Sequence, residues 1–315
     1  MEALTVAVLP ADYREMLEGR LPPSIEPLWW ETPDHLEVLA PQAEIGWFDL
    51  FDKPPALRAI ASAGDLRWLN TGFAGVDWIS LDDLDRRGIT LTNGSGLNSQ
   101  TVAEFTLMGM IAIARDYRAI VRSQDACRWI EGELGSRELA GSRALLLGYG
   151  SIGQRIGGLL EAVGVETVAV RSKPGPAVLG PDDWRARLRE FDWIVLSLPA
   201  TDATQDLIGR DELAAMKPDA VLVNVGRAET VQQNDLIEAL RQKRIAAALL
   251  DLTDPEPLPP DHPLWNVANA HVTMHRAGRP TPASRRRAAD RFAENCDRFL
   301  AGLPLEATVD LHRGY

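Results

Sequence analysis

The stretch Arg143-Ala-Leu-Leu-Leu-Gly148-Tyr-Gly150-Ser-Ile-Gly153, running on into Gln154–Val163, decides how this chain folds. Its apolar start reads as a buried strand and its continuation as a helix. A second apolar run, Thr167–Val170, follows at the distance of a strand–helix–strand unit. Gly-x-Gly-x-x-Gly alone is a weak signal, because a strand-to-helix turn needs glycine anyway. Set between strand and helix, each glycine has a purpose. Gly148 makes the tight turn, Gly150 lets the backbone approach a pyrophosphate, and Gly153 packs the helix on the strand. The N–H groups of the helix start are then left aimed at the phosphates.

The residue that ends the second strand bears on which dinucleotide is bound. An Asp or Glu there would hold the adenosine ribose hydroxyls of NAD, but the chain has Arg171-Ser172-Lys173. Arg171 can stack on adenine and pair with a 2′-phosphate, with Ser172 as a further donor. The expected cofactor is therefore NADP, with NAD still possible.

Working outward, nine short apolar runs alternate with helix-like stretches: Leu4–Leu9, Ile45–Phe51, Leu66–Thr71, Ile89–Thr92, Arg143–Leu147, Thr167–Val170, Trp193–Leu198, Ala220–Asn224 and Ile245–Leu250. Any one could be part of a buried helix. Nine in alternation predict an α/β protein with doubly wound parallel sheets. After Asn98, Thr101 is placed to cap a helix, with Glu104 reaching back, ahead of the apolar run Phe105–Ala114. Arg279-Pro280-Thr281-Pro282 breaks the chain before a last helical stretch, Ala283–Leu300. Crossings near 97–101 and 279–284 would put both ends of the chain in one domain and insert the middle as another.

Composition narrows the function. The 315 residues are 45% hydrophobic and 25% charged, with a net charge of −12, which speaks against non-specific nucleic-acid binding. Two cysteines, Cys127 and Cys296, make no disulfide framework, and no Cys/His spacing suggests a metal site. Residues 1–16 carry no basic leader and no small-residue cleavage site, and no apolar run reaches membrane-spanning length. A cytoplasmic protein with no membrane or nucleic-acid partner is expected.

Three later segments carry polar residues where strands end: Val221-Leu-Val-Asn224-Val-Gly-Arg227-Ala, the run from Leu250-Asp251 through Glu256 to His262-Pro-Leu-Trp265, and Asn269-Ala-His-Val-Thr-Met-His275-Arg-Ala-Gly278. Ligands of parallel sheets sit at such ends. Arg, Glu and His are also the groups needed to reduce a 2-oxoacid: a guanidinium for the carboxylate, an imidazolium to protonate the carbonyl, and a carboxylate to hold that imidazolium.

Taken together, the chain resembles the D-isomer-specific 2-hydroxyacid dehydrogenase family. Besides the segments above, the likeness rests on Gly72-Phe-Ala-Gly75-Val-Asp77, Gly88-Ile-Thr-Leu-Thr-Asn93, Val102-Ala-Glu104, Leu198-Pro199-Ala-Thr-Asp-Ala-Thr204 and Asn295-Cys-Asp-Arg-Phe-Leu-Ala-Gly302. It implies a flavodoxin-like substrate domain over 1–98 plus 283–315 and an inserted Rossmann NAD(P) domain over 99–282. It implies that His275 is the acid/base, Glu256 its partner and Arg227 a substrate ligand. Gly148, Gly150, Ser151, Ile152, Gly153, Pro199, Thr204, Val225, Gly226, Asp251 and Gly278 would line the cofactor. Backbone N–H groups of Phe73, Ala74 and Gly75 would cradle the substrate carboxylate.

The likeness also points to a glyoxylate/hydroxypyruvate reductase subgroup and to a homodimer paired through Thr101–Ala114 and the region of Trp129. The rival is a nucleotide-sensing, co-repressor-like interaction protein on the same fold. Three departures touch the site: Ala228 and Met274 stand where the family usually has glycine and proline, and Leu252-Thr253 follows Asp251. Among the other histidines, His262 reads as a turn residue and His271 as local packing. The arginines of 276–298 read as a solvated face paired i,i+4 with Asp290, Glu294 and Asp297.

Overall fold

The structure, a computed structural model, describes residues 4–171 and 178–313. Ser172, read above as a cofactor donor, and Lys173 beside it lie outside the described residues. Contacts divide the chain into two units, Met1–Asn98 with Pro280–Tyr315, and Ser99–Arg279.

The first unit holds a five-stranded parallel sheet: β1 (Thr5–Pro10), β2 (Ile25–Trp30), β3 (Ile45–Trp47), β4 (Trp68–Asn70) and β5 (Thr90–Thr92), in the order β2-β1-β3-β4-β5. This is the flavodoxin-like order. β2 was not among the nine runs because Pro27 interrupts it. Proline lacks a ladder donor, and β2 is an edge strand, where that donor is not needed. On one face of the sheet Phe292, from the helix Pro282–Leu300, packs against Trp47 and Trp68 with ring centroids 5.1 and 5.0 Å away.

The return crossing falls between Arg279 and Pro280 rather than at 282–283. Thr281 caps the helix, its Oγ1 accepting the Ser284 N–H (3.1 Å) while Ser284 Oγ accepts the Thr281 N–H (2.9 Å). The cap thus belongs with the helix it starts. The helix arginines do not pair as expected along their own face. Arg285 meets Asp12 (3.1 Å), Asp290 meets Arg20 (2.8 Å), and Arg287 donates to the Leu97 carbonyl. A helix docked against neighbouring loops offers its long side chains carbonyls and acids nearer than those one turn away.

The second unit holds a seven-stranded parallel sheet: β6 (Arg143–Leu147), β7 (Glu166–Val170), β8 (Val178–Leu179), β9 (Trp193–Leu196), β10 (Val221–Asn224), β11 (Ala247–Leu250) and β12 (Ala270–Val272). Its order is β12-β11-β10-β9-β6-β7-β8, doubly wound with the switch between β6 and β9. Side chains of β6, β9, β10 and β11 alternate between two buried cores, one on each face of the sheet. Strands covered on both faces are therefore apolar throughout, which is what made them readable.

The helix Ser99–Ala114 begins before Thr101, so Thr101 lies inside it and is no cap. Glu104 instead accepts from the Gln100 side chain (2.8 Å). Among the described residues, no helix is long and apolar enough to cross a membrane, and no group of acidic, His or Cys side chains could hold a metal.

Candidate active site

In the second unit the site begins at the strand ends around the switch point. Gly148 leaves β6 with φ +95°, a conformation that strongly favours glycine, and an added Cβ would come within 2.8 Å of the Ser197 carbonyl. A Cβ on Gly153 would come within 2.1 Å of the Gly148 carbonyl, so the helix Ser151–Ala162 packs against the strand exit only because that position is bare. Gly150 differs: a Cβ there would meet nothing within 4 Å. The space in front of the helix start is open, and the first-turn N–H groups have no partner within the helix. Ser151 is exposed and Ile152 half-buried at that start. A cradle of backbone donors with free space before it fits the pyrophosphate of a dinucleotide.

Val170 pairs with Leu147 in register, which sets Arg171 one residue beyond β7 and beside the glycine turn. Arg171 is exposed. After β9, Ser197 Oγ donates to the Gly148 carbonyl (2.9 Å). The next loop closes on Thr204, which donates to the Pro199 carbonyl (2.7 Å) and accepts the Thr201 N–H (2.9 Å). The Val225 side chain lies in the core, so only its backbone is available to a ligand. Gly226 passes so close to Leu198 that a Cβ would meet its carbonyl at 2.6 Å. Gly278 is half-buried with room around it.

The loop after β10 presents Arg227. Asn224, fully buried, donates to the Arg227 carbonyl (2.8 Å) and accepts the Gly226 N–H (3.0 Å), and Thr230 Oγ1 donates to the same carbonyl (2.7 Å). Asn224 and Thr230 are site-building residues that the sequence reading did not single out. Ala228 opens a right-handed 3-10 turn, Ala228–Thr230, so the departure from glycine costs nothing there.

His275 Nδ1 lies 2.9 Å from Glu256 Oε2. A carboxylate only accepts, so the imidazole donates through Nδ1 and presents Nε2 outward. Glu256 Oε1 also accepts the Thr253 N–H (3.1 Å). Partial burial pushes the Glu256 carboxyl up. The bonds from His275 and Thr253, with the charges of His275 and Arg227, outweigh it and hold the carboxyl below its usual range. Arg227, Glu256 and His275 are thus one electrostatic cluster. The His275 and Glu256 side chains are 54% and 37% exposed, open to a substrate.

Met274 and His275 both have φ +54°, a left-handed pair without glycine. Asp251, 2% exposed, holds them there. Its carboxylate accepts Thr273 Oγ1–H (2.6 Å) and the N–H groups of Arg276 (2.8 Å) and Ala277 (3.1 Å), and its carbonyl accepts the His275 N–H (2.6 Å). Asp251 was expected among the cofactor contacts. In the structure its carboxylate builds the histidine loop.

In the first unit, the turn after β4 carries the amides of Phe73, Ala74 and Gly75, and one of them is already taken. The Phe73 N–H is already bonded to Thr71 Oγ1 (3.1 Å), and the Gly72 N–H to Asp49 Oδ2 (2.7 Å). The Phe73 carbonyl accepts the Gly94 N–H (2.8 Å) and the Ala74 carbonyl accepts Asn93 Nδ2–H (2.8 Å). In a trans peptide the N–H points away from its carbonyl. Anchoring those two carbonyls therefore aims the N–H groups of Ala74 and Gly75 the other way, and the cradle narrows to that pair. Burial is the main force raising the Asp49 carboxyl above its usual range.

Residues 107–277 match the family model described as D-isomer specific 2-hydroxyacid dehydrogenase, NAD binding domain. The chain is 35% identical over 270 residues to the glyoxylate reductase of Aeropyrum pernix, covering 81% of this chain and 76% of that one. A D-isomer specific 2-hydroxyacid dehydrogenase family protein from Aeromonas salmonicida superposes with a TM-score of 0.87 at 29% identity, covering 98% of this chain and all of that one (100%). The D-isomer specific 2-hydroxyacid dehydrogenase from Xanthobacter autotrophicus, solved with NADPH and MES, gives 0.79 at 26% identity, covering 99% of this chain and 100% of that one. The protein is an NAD(P)-dependent oxidoreductase. It belongs to the D-isomer specific 2-hydroxyacid dehydrogenase family.

Proposed function

We propose that the protein reduces a small 2-oxoacid of the glyoxylate or hydroxypyruvate kind to the D-2-hydroxyacid, with NADPH preferred over NADH. The observation that carries this is the His275–Glu256 pair with Arg227 in its field. Bound nicotinamide supplies the hydride to the carbonyl carbon. His275, charged and held through Nδ1, gives the Nε2 proton to the carbonyl oxygen, and Glu256 stabilises the charged ring until that moment. Arg227 offers its planar donors to the substrate carboxylate. Arg171 in place of an acid, and the NADPH carried by the Xanthobacter relative, support the cofactor preference. Met108 and Ile111 on the helix Ser99–Ala114, with the 90% exposed Trp129, support a homodimer.

The test is NADPH oxidation with glyoxylate, hydroxypyruvate, pyruvate and phenylpyruvate, with chiral analysis of the product. Turnover giving the D-hydroxyacid is expected. Tight cofactor binding with no turnover of any of the four would replace this reading with the sensing one.

A further inference from the structure

We propose that Lys53 is a positioning residue for the Ala74–Gly75 amide pair, acting through Phe73. The proposal rests on the reading that this turn receives a substrate carboxylate. The Lys53 ammonium sits 3.7 Å from the Phe73 ring centroid and 4.4 Å from that of Trp78, and donates to the Leu50 carbonyl (2.7 Å). The two rings meet edge to face, at 6.3 Å and 88°. A cation tied to its own loop and seated on both rings fixes each against the other.

Phe73 is the residue that needs such fixing. Its backbone is tied on both sides, to Thr71 and to Gly94. Its half-buried ring, however, is no member of the apolar cores of the unit. The peptide that carries the Ala74 N–H begins at Phe73, so rotation of that residue would turn the amide away. Asp49, in the loop after β3, and Lys53, which opens the helix Lys53–Ser62 that follows, hold the turn after β4 by two means: Asp49 grips the Gly72 N–H (2.7 Å) and Lys53 the Phe73 ring. Lys53 also brings a positive charge to the ring of the turn read as receiving an anion, which a purely apolar prop would not do. Burial lowers the Lys53 pKa, while Asp49 and Asp77 favour its charged form.

Lys53→Met tests this, since methionine keeps the length and the affinity for aromatic faces but removes the charge. Lys53→Arg keeps the charge and its seat on the rings. The expected result for Lys53→Met is a rise in KM for glyoxylate of about fivefold to tenfold. Its kcat, KM for NADPH and Tm should stay near those of the unsubstituted enzyme, and Lys53→Arg should restore most of the loss. Unchanged KM in Lys53→Met, or a Lys53→Arg variant as impaired as Lys53→Met, overturns the proposal. Amide exchange over 73–76 in the substrate-free protein gives an independent arm: faster in Lys53→Met and restored in Lys53→Arg, or the proposal fails. If the unsubstituted protein turns over no 2-oxoacid, the functional reading fails and the exchange arm alone decides for Lys53.

Discussion

At the scale of single residues, the proposed mechanism makes the Glu256 carboxylate the group that shapes the pH dependence. Because His275, Thr253 and Arg227 hold its pKa below the usual carboxylate range, Glu256 stays ionised until the pH falls through that lowered value. The stabilisation of a charged His275 is therefore present above that value and lost below it. In the proposed mechanism reduction consumes the proton on His275, so its rate should fall on the alkaline side. In Glu256→Gln the alkaline limb of kcat/KM should move to lower pH, with reduction weakened at neutral pH more than oxidation. An alkaline limb that stays in place would separate Glu256 from His275. The left-handed backbone at Met274 yields a second expectation. Proline is fixed near φ −65° and cannot adopt the +54° seen there. Restoring the residue usual in the family, Met274→Pro, should therefore lower kcat/KM by at least about tenfold, measured alongside a circular dichroism spectrum that stays native. A fully active Met274→Pro would mean that the loop tolerates the other hand.

At the scale of elements, the proposed chemistry lies at strand ends, and the proposed cofactor preference rests on Arg171, where β7 stops. Arg171→Asp should cost NADPH selectively, reversing the kcat/KM ratio of NADPH to NADH, and equal efficiencies in the unsubstituted enzyme would remove the basis for that preference. Asp251→Ala should destabilise the fold by on the order of 3 kcal/mol, read in urea unfolding, because it leaves the buried Ala277 N–H and two partly buried donors, from Thr273 and Arg276, without partners. The strands around the glycine turn could be read from sequence because both faces of the sheet are covered and the apolar runs are unbroken. β2 could not, because a proline is harmless at an edge, and β8 spans only Val178–Leu179. The glycine turn and the polar strand ends were legible as chemistry. The work of Asp251 was not, since its partners are one hydroxyl and two backbone N–H groups more than twenty residues on, which no local pattern announces. The Phe73 amide was misjudged for a related reason: a neighbouring hydroxyl, Thr71, had already taken it.

At the scale of the whole molecule, the exposed Met108, Ile111 and Trp129 lead us to expect a two-fold dimer. Light scattering at micromolar concentration should report twice the chain mass, and Trp129→Glu should shift it toward the monomer. A monomer in the unsubstituted protein would leave that apolar surface without its explanation. The chain visits the first unit twice, before Ser99 and after Arg279, whereas the second unit is one unbroken span. This has a consequence in time. A ribosome delivers the tryptophan-bearing strands β3 and β4 early, but Phe292, which covers Trp47 and Trp68, only some two hundred residues later. At elongation speeds of about 5–20 residues per second, the nascent amino-terminal segment waits for about ten seconds or more with its aromatic face bare. In the meantime the inserted unit can complete itself. Chains halted at residue 279 should therefore recruit holdase chaperones and bind hydrophobic dyes through that face, and chains released beyond residue 300 should not.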